Sequence, residues 1–152
     1  EDYAFSSCHS LTKVNLSEGL EILNNSVFFN CSELREIKLP STLKEIGPRA
    51  FSGAALNNVV LPDSGKLTKI DEYAFYQSRE LTDITIPACI TSIPDNVFAE
   101  CSKEVTIHGA SGSYAQSYAK KNNLKFKADL GSSSKKATKA TKASGKAAEK
   151  AE

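Results

Sequence analysis

Cysteine and histidine are the residues of this 152-residue chain whose types could support metal binding or nucleophilic catalysis. Cysteine thiolates and histidine imidazoles are the usual zinc ligands, and a cysteine beside a base can become an activated nucleophile. The residues concerned are Cys8, Cys31, Cys89, Cys101, His9 and His108. No two cysteines have C-x-x-C spacing, and the two histidines are far apart without partners at ligand spacing. We therefore expect no metal site, no cofactor and no histidine-based catalytic pair.

Other chemistry is also disfavoured by the sequence. Gly109 and Gly112 precede a predicted helix but do not follow the phosphate-loop pattern. Carboxylates such as Glu36 and Glu45 fall at positions predicted to face solvent, which indicates a solvated surface and not an acid–base pair. The net charge of +1 gives no general attraction to nucleic acid or membranes. No apolar run approaches the ~20 residues that cross a bilayer. The sequence thus predicts a protein that is not an enzyme.

The cysteines are better explained by an internal repeat. Each unit contains a phenylalanine that follows alanine or valine and lies 23 or 24 residues from the next: Phe5, Phe28, Phe51, Phe75 and Phe98. The third residue after each phenylalanine is small, and three of these five residues are cysteines. An apolar triplet follows, as in Leu34, Ile37 and Leu39, and a pair such as Leu43 and Ile46 closes the unit. We interpret the cysteines as small packing residues.

A unit of about 23 residues cannot bury its own apolar side chains, so successive copies are expected to stack as about five coils of a solenoid. Val14 and Leu16 alternate with Asn15, which predicts a short strand with one buried face. Parallel strands of adjacent coils would pair at about 4.8 Å. The phenylalanine segment would form a short helical turn whose ring joins an interior ladder. The closing apolar pair would form a second short strand or an extended turn.

The third unit departs from the period in two places. It is one residue short before Leu56 and two residues long around Asp63–Lys66. Both changes lie between core positions, where loops tolerate changes of length. We therefore expect the stack to continue through this unit.

The region after the last repeat predicts a turn and a helix. Residues 108–112 are interpreted as the turn. Ser113 and Gln116 form a capping-box pattern, in which the serine hydroxyl and the glutamine side chain would satisfy amides at the helix start. Asn122 or Asn123 can end the helix.

Residues 124–127 alternate apolar side chains with lysines, which predicts a final short strand. The helix and this strand would form a cap, at about residues 108–127, over the apolar end of the stack. Residues 128–152 differ in kind, because from Gly131 onward they contain only Gly, Ser, Thr, Ala, Lys and Glu. This composition predicts a disordered tail or linker.

The repeat resembles that of a known family. Val27-Phe28 through Cys31 to Leu39-Pro40 is similar to the BspA-type leucine-rich repeat, although Ala54 and Ser78 stand where cysteine is usual. The resemblance covers residues 1–127 and identifies the chain as a member of that family. It implies a right-handed solenoid and surface-exposed or secreted proteins of bacteria and some parasitic protists, associated with adhesion. It carries no catalytic residues.

The opening of the chain matches the interior of a repeat, since residues 1–5 correspond to Asp71–Phe75. We therefore expect the sequence to be part of a longer protein whose targeting signal lies elsewhere. The family resemblance implies an extracellular or cell-surface location.

The candidate binding surface is the row of outward side chains between the core positions of the strands, here called the strand face. Its members are Lys13, Asn15, Glu36, Lys38, Asn58, Val60, Asp83, Thr85 and Thr106. A repeat array presents such residues as a regular grid, which suits contact with a protein or a surface glycan. The row has mixed charge and no aromatic anchor.

Three functions remain open from the sequence. The first is a protein-interaction or adhesion module, and the second is a rigid spacer that carries other domains. The third is a nucleic-acid binder that uses its basic tail, which is disfavoured because the tail has no aromatic residue for base stacking.

Overall fold

The computed structural model describes residues 1–129, which form nine short strands and one helix. The predicted tail lies outside these residues except for its first two. The elements are β1 (Lys13–Asn15), β2 (Ile22–Leu23), β3 (Glu36–Lys38), β4 (Glu45–Ile46), β5 (Asn58–Val60), β6 (Lys69–Ile70), β7 (Asp83–Thr85), β8 (Thr106–Gly109), α1 (Tyr114–Lys121) and β9 (Lys125–Ala128). Every strand pair in this set is parallel, which confirms the predicted solenoid of parallel strands.

The longer strands stack along one side of the solenoid. β1 pairs with β3, and β5, β7, β8 and β9 form a second continuous sheet. The central residues are in register, so that Val59, Ile84, Ile107 and Phe126 follow one another from strand to strand. They point inward, and their neighbours in each strand point outward. The alternation that predicted these strands therefore divides them into a core side and a solvent side.

The stack of longer strands is interrupted between β3 and β5. Leu16 N–H donates to Lys38 O between β1 and β3, and Leu61 N–H donates to Thr85 O between β5 and β7. Among the described residues no equivalent bond joins β3 to β5. The third unit is the one that is short before Leu56, and this shortening shifts β5 out of hydrogen-bonding register with β3. The expectation of unbroken pairing was wrong at this step, although the core continues across it.

The two-residue strands form a second ladder in the order β2-β4-β6. Main-chain bonds just after these strands continue it, from Gly47 N–H to Leu23 O at 2.7 Å and from Asp71 N–H to Ile46 O at 2.9 Å. Pro94 occupies the corresponding position in the next coil. Proline has no amide hydrogen to donate, so the ladder cannot extend to that coil.

The phenylalanine segments form the third side of the solenoid. Each is a turn closed by i to i+3 bonds, such as Cys8 N–H to Phe5 O, as the sequence predicted. Main-chain bonds also join the turns of adjacent coils, as from Phe28 N–H to Ala50 O at 2.9 Å. Most of the residues two before and two after each ring have a left-handed backbone, including Ser26 and Asn30 at φ 54°. This alternation lets successive amides point toward the next coil.

The five phenylalanine rings stack along the interior. Successive ring centroids lie 5.3–5.7 Å apart, with interplanar angles of 2–19°. Phe28, Phe51 and Phe75 are fully buried, but Phe5 remains 48% exposed because only one described coil packs against it. Tyr118 of α1 meets Phe98 edge-on at 6.1 Å and covers the other end of the stack.

The cap contains the predicted helix and final strand, with two differences from the sequence-based prediction. His108 and Gly109 belong to β8 and not to a turn, because β9 folds back beside them and extends the sheet. Ser113 is the N-cap residue but its hydroxyl makes no capping bond. Gln116 instead accepts a hydrogen bond from Gly112 N–H at 2.7 Å, one residue before the donor that a capping box would use.

Candidate functional site

The strand face consists of two parallel rows of outward residues. Strand pairing places Lys13 beside Glu36, and Asn15 beside Lys38. Beyond the interruption it places Asp83 between Asn58 and Thr106, and Thr85 between Val60 and His108. All nine side chains singled out from the sequence therefore lie on one side of the solenoid. The residues of β1, β3 and β5 are exposed, whereas Asp83, Thr85 and Thr106 are partly buried.

A shallow depression lies on the strand face where β3 and β5 are not hydrogen bonded. Its volume is about 280 Å³, and it is lined by Lys13, Asn15, Glu36, Ile37, Lys38 and Asn58. Lys13 Nζ and Glu36 Oε2 are 2.6 Å apart in an exposed ion pair. Ile37, whose side chain packs against the core, is the one apolar residue in this lining. The depression therefore offers amide, ammonium and carboxylate groups but no activated nucleophile.

His108 adds a charged cluster to the end of the strand face that sequence reasoning did not find. Its Nε2 is 2.7 Å from Asp83 Oδ1, and its Nδ1 is 2.5 Å from Asp129 Oδ2. Only a protonated imidazole can donate from both ring nitrogens. The bonds to Asp129 and then Asp83 accordingly raise the pKa of His108, while the His108 bond lowers the pKa of the Asp83 carboxyl. Lys127 of β9 lies 3.8 Å from Asp129 and belongs to the same cluster.

The proximity of His108 to Asp83, but not to Asp129, could have been predicted from the repeat. If β8 is given the same register as β7, His108 falls beside Thr85 and diagonal to Asp83. Asp129 could not be placed in the same way, because the position of β9 depends on how the cap folds back. The arrangement holds the end of the cap against the last coils and resembles a structural ion cluster more than a catalytic pair.

The cysteines serve packing and main-chain bonding. Cys31 is fully buried and its Sγ donates to Phe5 O at 3.0 Å. Cys101 Sγ donates to Phe75 O at 2.8 Å, and burial raises the pKa of its thiol to about 11. A thiol with a raised pKa is mostly protonated at neutral pH and is a poor nucleophile. The geometry thus assigns these side chains to the interior of the solenoid.

Residues 1–129 lack two further features. No group of three or more His, Cys, Asp or Glu side chains in this range has an arrangement that could hold a metal ion. Within the same residues no helix combines the length and apolar character needed to span a bilayer.

The repeat matches a family profile over the whole solenoid. The profile described as BspA type leucine rich repeat region matches residues 1–127 in six copies. The structure has six strands in the longer stack, from β1 to β9, and the last is supplied by the cap. No curated protein sequence matches the chain at a significant level.

Solved structures of bacterial proteins share the fold. The chain is 22% identical to a leucine-rich repeat protein from Bacteroides ovatus, covering 69% of this chain and 27% of that one, with a TM-score of 0.54. It is 23% identical to a leucine rich cell surface protein from Faecalibacterium prausnitzii, with coverages of 71% and 34% and a TM-score of 0.59. For the pneumococcal vaccine antigen PcpA the identity is 21%, the coverages are 84% and 38%, and the TM-score is 0.64. The chain therefore spans about a quarter to two fifths of these proteins.

Proposed function

Because this chain belongs to the BspA-type leucine-rich-repeat family, we propose that it is a non-catalytic protein-interaction module of a cell-surface or secreted protein. A cell-surface protein and a vaccine antigen among its structural neighbours support this location. The expected partner is another protein or a surface glycan, and the expected role is adhesion. The strand face is the surface proposed for contact.

The observation that carries the proposal is the register of outward side chains across successive coils. Six strands at about 4.8 Å spacing present a polar grid roughly 24 Å long, supported from behind by a continuous apolar core. A rigid backbone of this kind loses little conformational freedom when a partner binds, which favours affinity. The depression near Asn58 gives this grid an indentation that a partner's side chain could enter.

Binding to purified partners tests the proposal. The full chain would be measured by surface plasmon resonance against a panel of extracellular-matrix proteins and by glycan array. A strand-face variant, Glu36→Ala with Lys38→Ala and Asn58→Ala, is expected to lose at least about tenfold in affinity for any ligand found. The matched control, Glu21→Ala with Lys44→Ala, removes an exposed ion pair of 2.8 Å on another side of the solenoid and should leave affinity unchanged.

The remaining alternatives predict different results in the same measurements. A rigid spacer would bind none of these ligands, and the main-chain bonds that join the phenylalanine turns of adjacent coils suit that role as well. A nucleic-acid binder would retain DNA in a salt-dependent manner and lose it on deletion of residues 131–152, which lie outside the described structure. Equal losses in the strand-face variant and its control would contradict the strand face as the contact surface.

A further inference from the structure

A second outward surface lies on the side of the solenoid formed by the phenylalanine turns. This surface, here called the turn face, consists of the residues two before and one after each stacked ring. It carries Tyr3, Phe29, Arg49, Tyr73 and Tyr76 in the first four coils. Tyrosine and arginine are enriched among residues that contribute most to protein binding, and aromatic residues in general are enriched at interfaces. The strand residues proposed above include none of these types, so the turn face is the better source of anchoring contacts.

A depression of about 170 Å³ lies on the turn face between the first and third coils. It is lined by Tyr3, Ser26, Phe29 and Arg49. Tyr3, Ser26 and Arg49 occupy the same position in successive repeats and share a left-handed backbone, with φ of 56°, 54° and 53°. Ser26 is the small member of this row, so a gap opens above it between two long side chains. A volume of about 150 Å³ is enough to hold a benzene ring.

The walls of this depression are partly apolar and remain open to solvent. Phe29 is 37% exposed and Tyr3 is 56% exposed, whereas Ser26 at the floor is almost fully buried. The Ser26 hydroxyl is already used in a 3.0 Å hydrogen bond to Asn25 Oδ1. The favourable free energy of binding in this depression would therefore come from burying exposed aromatic surface, and an apolar side chain of a partner would bury most of it.

Arg49 supplies a positive charge at the edge of the depression. Its guanidinium carbon lies over the Tyr73 ring, 5.4 Å from the ring centre, in a cation–π contact. Within residues 1–129 no carboxylate comes within ion-pair distance of this guanidinium. Glu72 contacts Arg49 through its main-chain carbonyl, which accepts a hydrogen bond from Arg49 N–H, and the Asp2 carboxylate accepts a hydrogen bond from Asn25 N–H. Arg49 thus has donors free for an added carboxylate.

We propose that the turn face docks a protein segment that places an apolar side chain over Ser26 and an aspartate or glutamate, two residues along the segment, on Arg49. The inference rests on the proposed interaction function but not on the strand face. An extended peptide suits the site because side chains two residues apart lie on the same face of an extended segment and can reach the depression and the guanidinium together. The Tyr73–Tyr76 pair, edge-to-face at 5.5 Å, continues the aromatic surface beyond Arg49.

Two short peptides test the inference directly. Acetyl-Phe-Ala-Glu-Ala-amide, which has its apolar and acidic side chains on one face when extended, and its glutamine counterpart differ only in the charge that Arg49 is expected to bind. The full ¹⁵N-labelled chain would be titrated with each and followed by two-dimensional NMR. Both peptides are expected to shift the amide signals of Ser26, Phe29 and Arg49, and the glutamate peptide should bind about two- to fivefold more tightly, the gain typical of one partly exposed ion pair.

Two variants of the chain assign the contacts. Ser26→Tyr should abolish binding of both peptides, because the new ring would fill the depression. The left-handed backbone at this repeat position accommodates tyrosine, since Tyr3 and Tyr73 occupy it in other coils. Arg49→Gln should leave the glutamine peptide unaffected and remove the preference for glutamate. Lys44→Gln, beside the two-residue strands and outside both faces, is the matched control and should change neither affinity. Thermal melting checks that each variant folds, and Ser26→Arg replaces Ser26→Tyr if the latter does not.

Several results would overturn the inference. These are equal affinity of the two peptides, shifts confined to the strand face, or unchanged binding in a folded Ser26 variant. A glucuronic acid oligosaccharide that shifts the turn-face signals when the peptides do not would replace the protein partner with a glycan. Loss of ligand binding only in the strand-face variant would leave the proposed function standing while the turn-face inference fails.

Discussion

Ser78 donates a 3.0 Å hydrogen bond from its Oγ to the main-chain carbonyl of Phe51 in the preceding coil. Cys31 and Cys101 donate their thiol hydrogens to the carbonyls of Phe5 and Phe75 in the same way. In three of the five repeats, the third residue after the ring is therefore small and also bonds to the main chain of the coil before it. This explains why serine can stand where cysteine is more frequent in the repeat.

Ser78→Ala should lower the free energy of unfolding by about 0.5–1.5 kcal/mol, because it removes one of the two hydrogen bonds that the Phe51 carbonyl accepts, the other coming from Ala54 N–H. Ala54 occupies the equivalent position and has no donor, so Ala54→Ser should stabilise the chain or leave it unchanged. Urea unfolding followed by circular dichroism measures both. Destabilisation by Ala54→Ser as large as that by Ser78→Ala would show that volume alone governs this position.

Phe51→Ala should cost about 3–5 kcal/mol, because the ring is fully buried between Phe28 and Phe75. Phe5→Ala should cost clearly less, since half of that ring is already in solvent. Lys38→Ala should change stability by less than about 0.5 kcal/mol, as expected for an exposed residue. Thermal and urea unfolding of the three variants rank their losses of stability. A loss for Lys38→Ala equal to that for Phe51→Ala would refute the assignment of Phe51 to the core and Lys38 to the surface.

Ser113→Ala should leave stability unchanged or raise it slightly. The Ser113 hydroxyl is buried and has no hydrogen-bond partner within residues 1–129, so removing it deletes an unsatisfied group. Gln116→Ala should destabilise the cap, because it removes the acceptor for Gly112 N–H. Amide hydrogen exchange in α1 is the appropriate measurement. A loss of about 1 kcal/mol in Ser113→Ala would instead indicate an ordinary N-cap bond.

The cap should be most firmly held at mildly acidic pH. The pKa of His108 is raised by its bonds to Asp129 and Asp83, so its contribution is fully present below the unfolded value of about 6.5 and is lost as pH rises through the folded pKa. The pKa of Asp83 is lowered by the bond from His108, so its contribution is lost only as pH falls through that low value. NMR titration of the His108 ring and hydrogen exchange in β8 and β9 measure the upper and lower pH limits of this stabilisation.

His108→Gln is the control for this prediction. It should weaken the cap and abolish the pH dependence of the amide protection factors of β8 and β9 in the neutral range, because glutamine does not titrate. A His108 pKa at or below about 6.5 would show that the two carboxylates do not hold a protonated ring in solution.

Much of the fold followed from the spacing of a few residues. The regular recurrence of phenylalanine, the small residue three positions later and the apolar triplet determined a stack of coils, because a unit so short can hide its apolar groups only against another copy. The alternation around Val14 and Ile84 determined which side chains face solvent, since strand geometry has a period of two. Local propensities likewise placed α1 and its end near Asn122.

Other features depended on contacts between coils, which a local pattern does not contain. The interruption between β3 and β5 depends on how one missing residue is absorbed, and the Asp83–His108–Asp129 cluster depends on where the cap strand returns. The depression above Ser26 exists only because Tyr3 and Arg49 stand on either side of it in neighbouring coils. The sequence by itself determined the period and the inward face, because each is set within one repeat. Tertiary structure decided which outward residues from different repeats meet, because that depends on the register between coils and not on the order of residues within them.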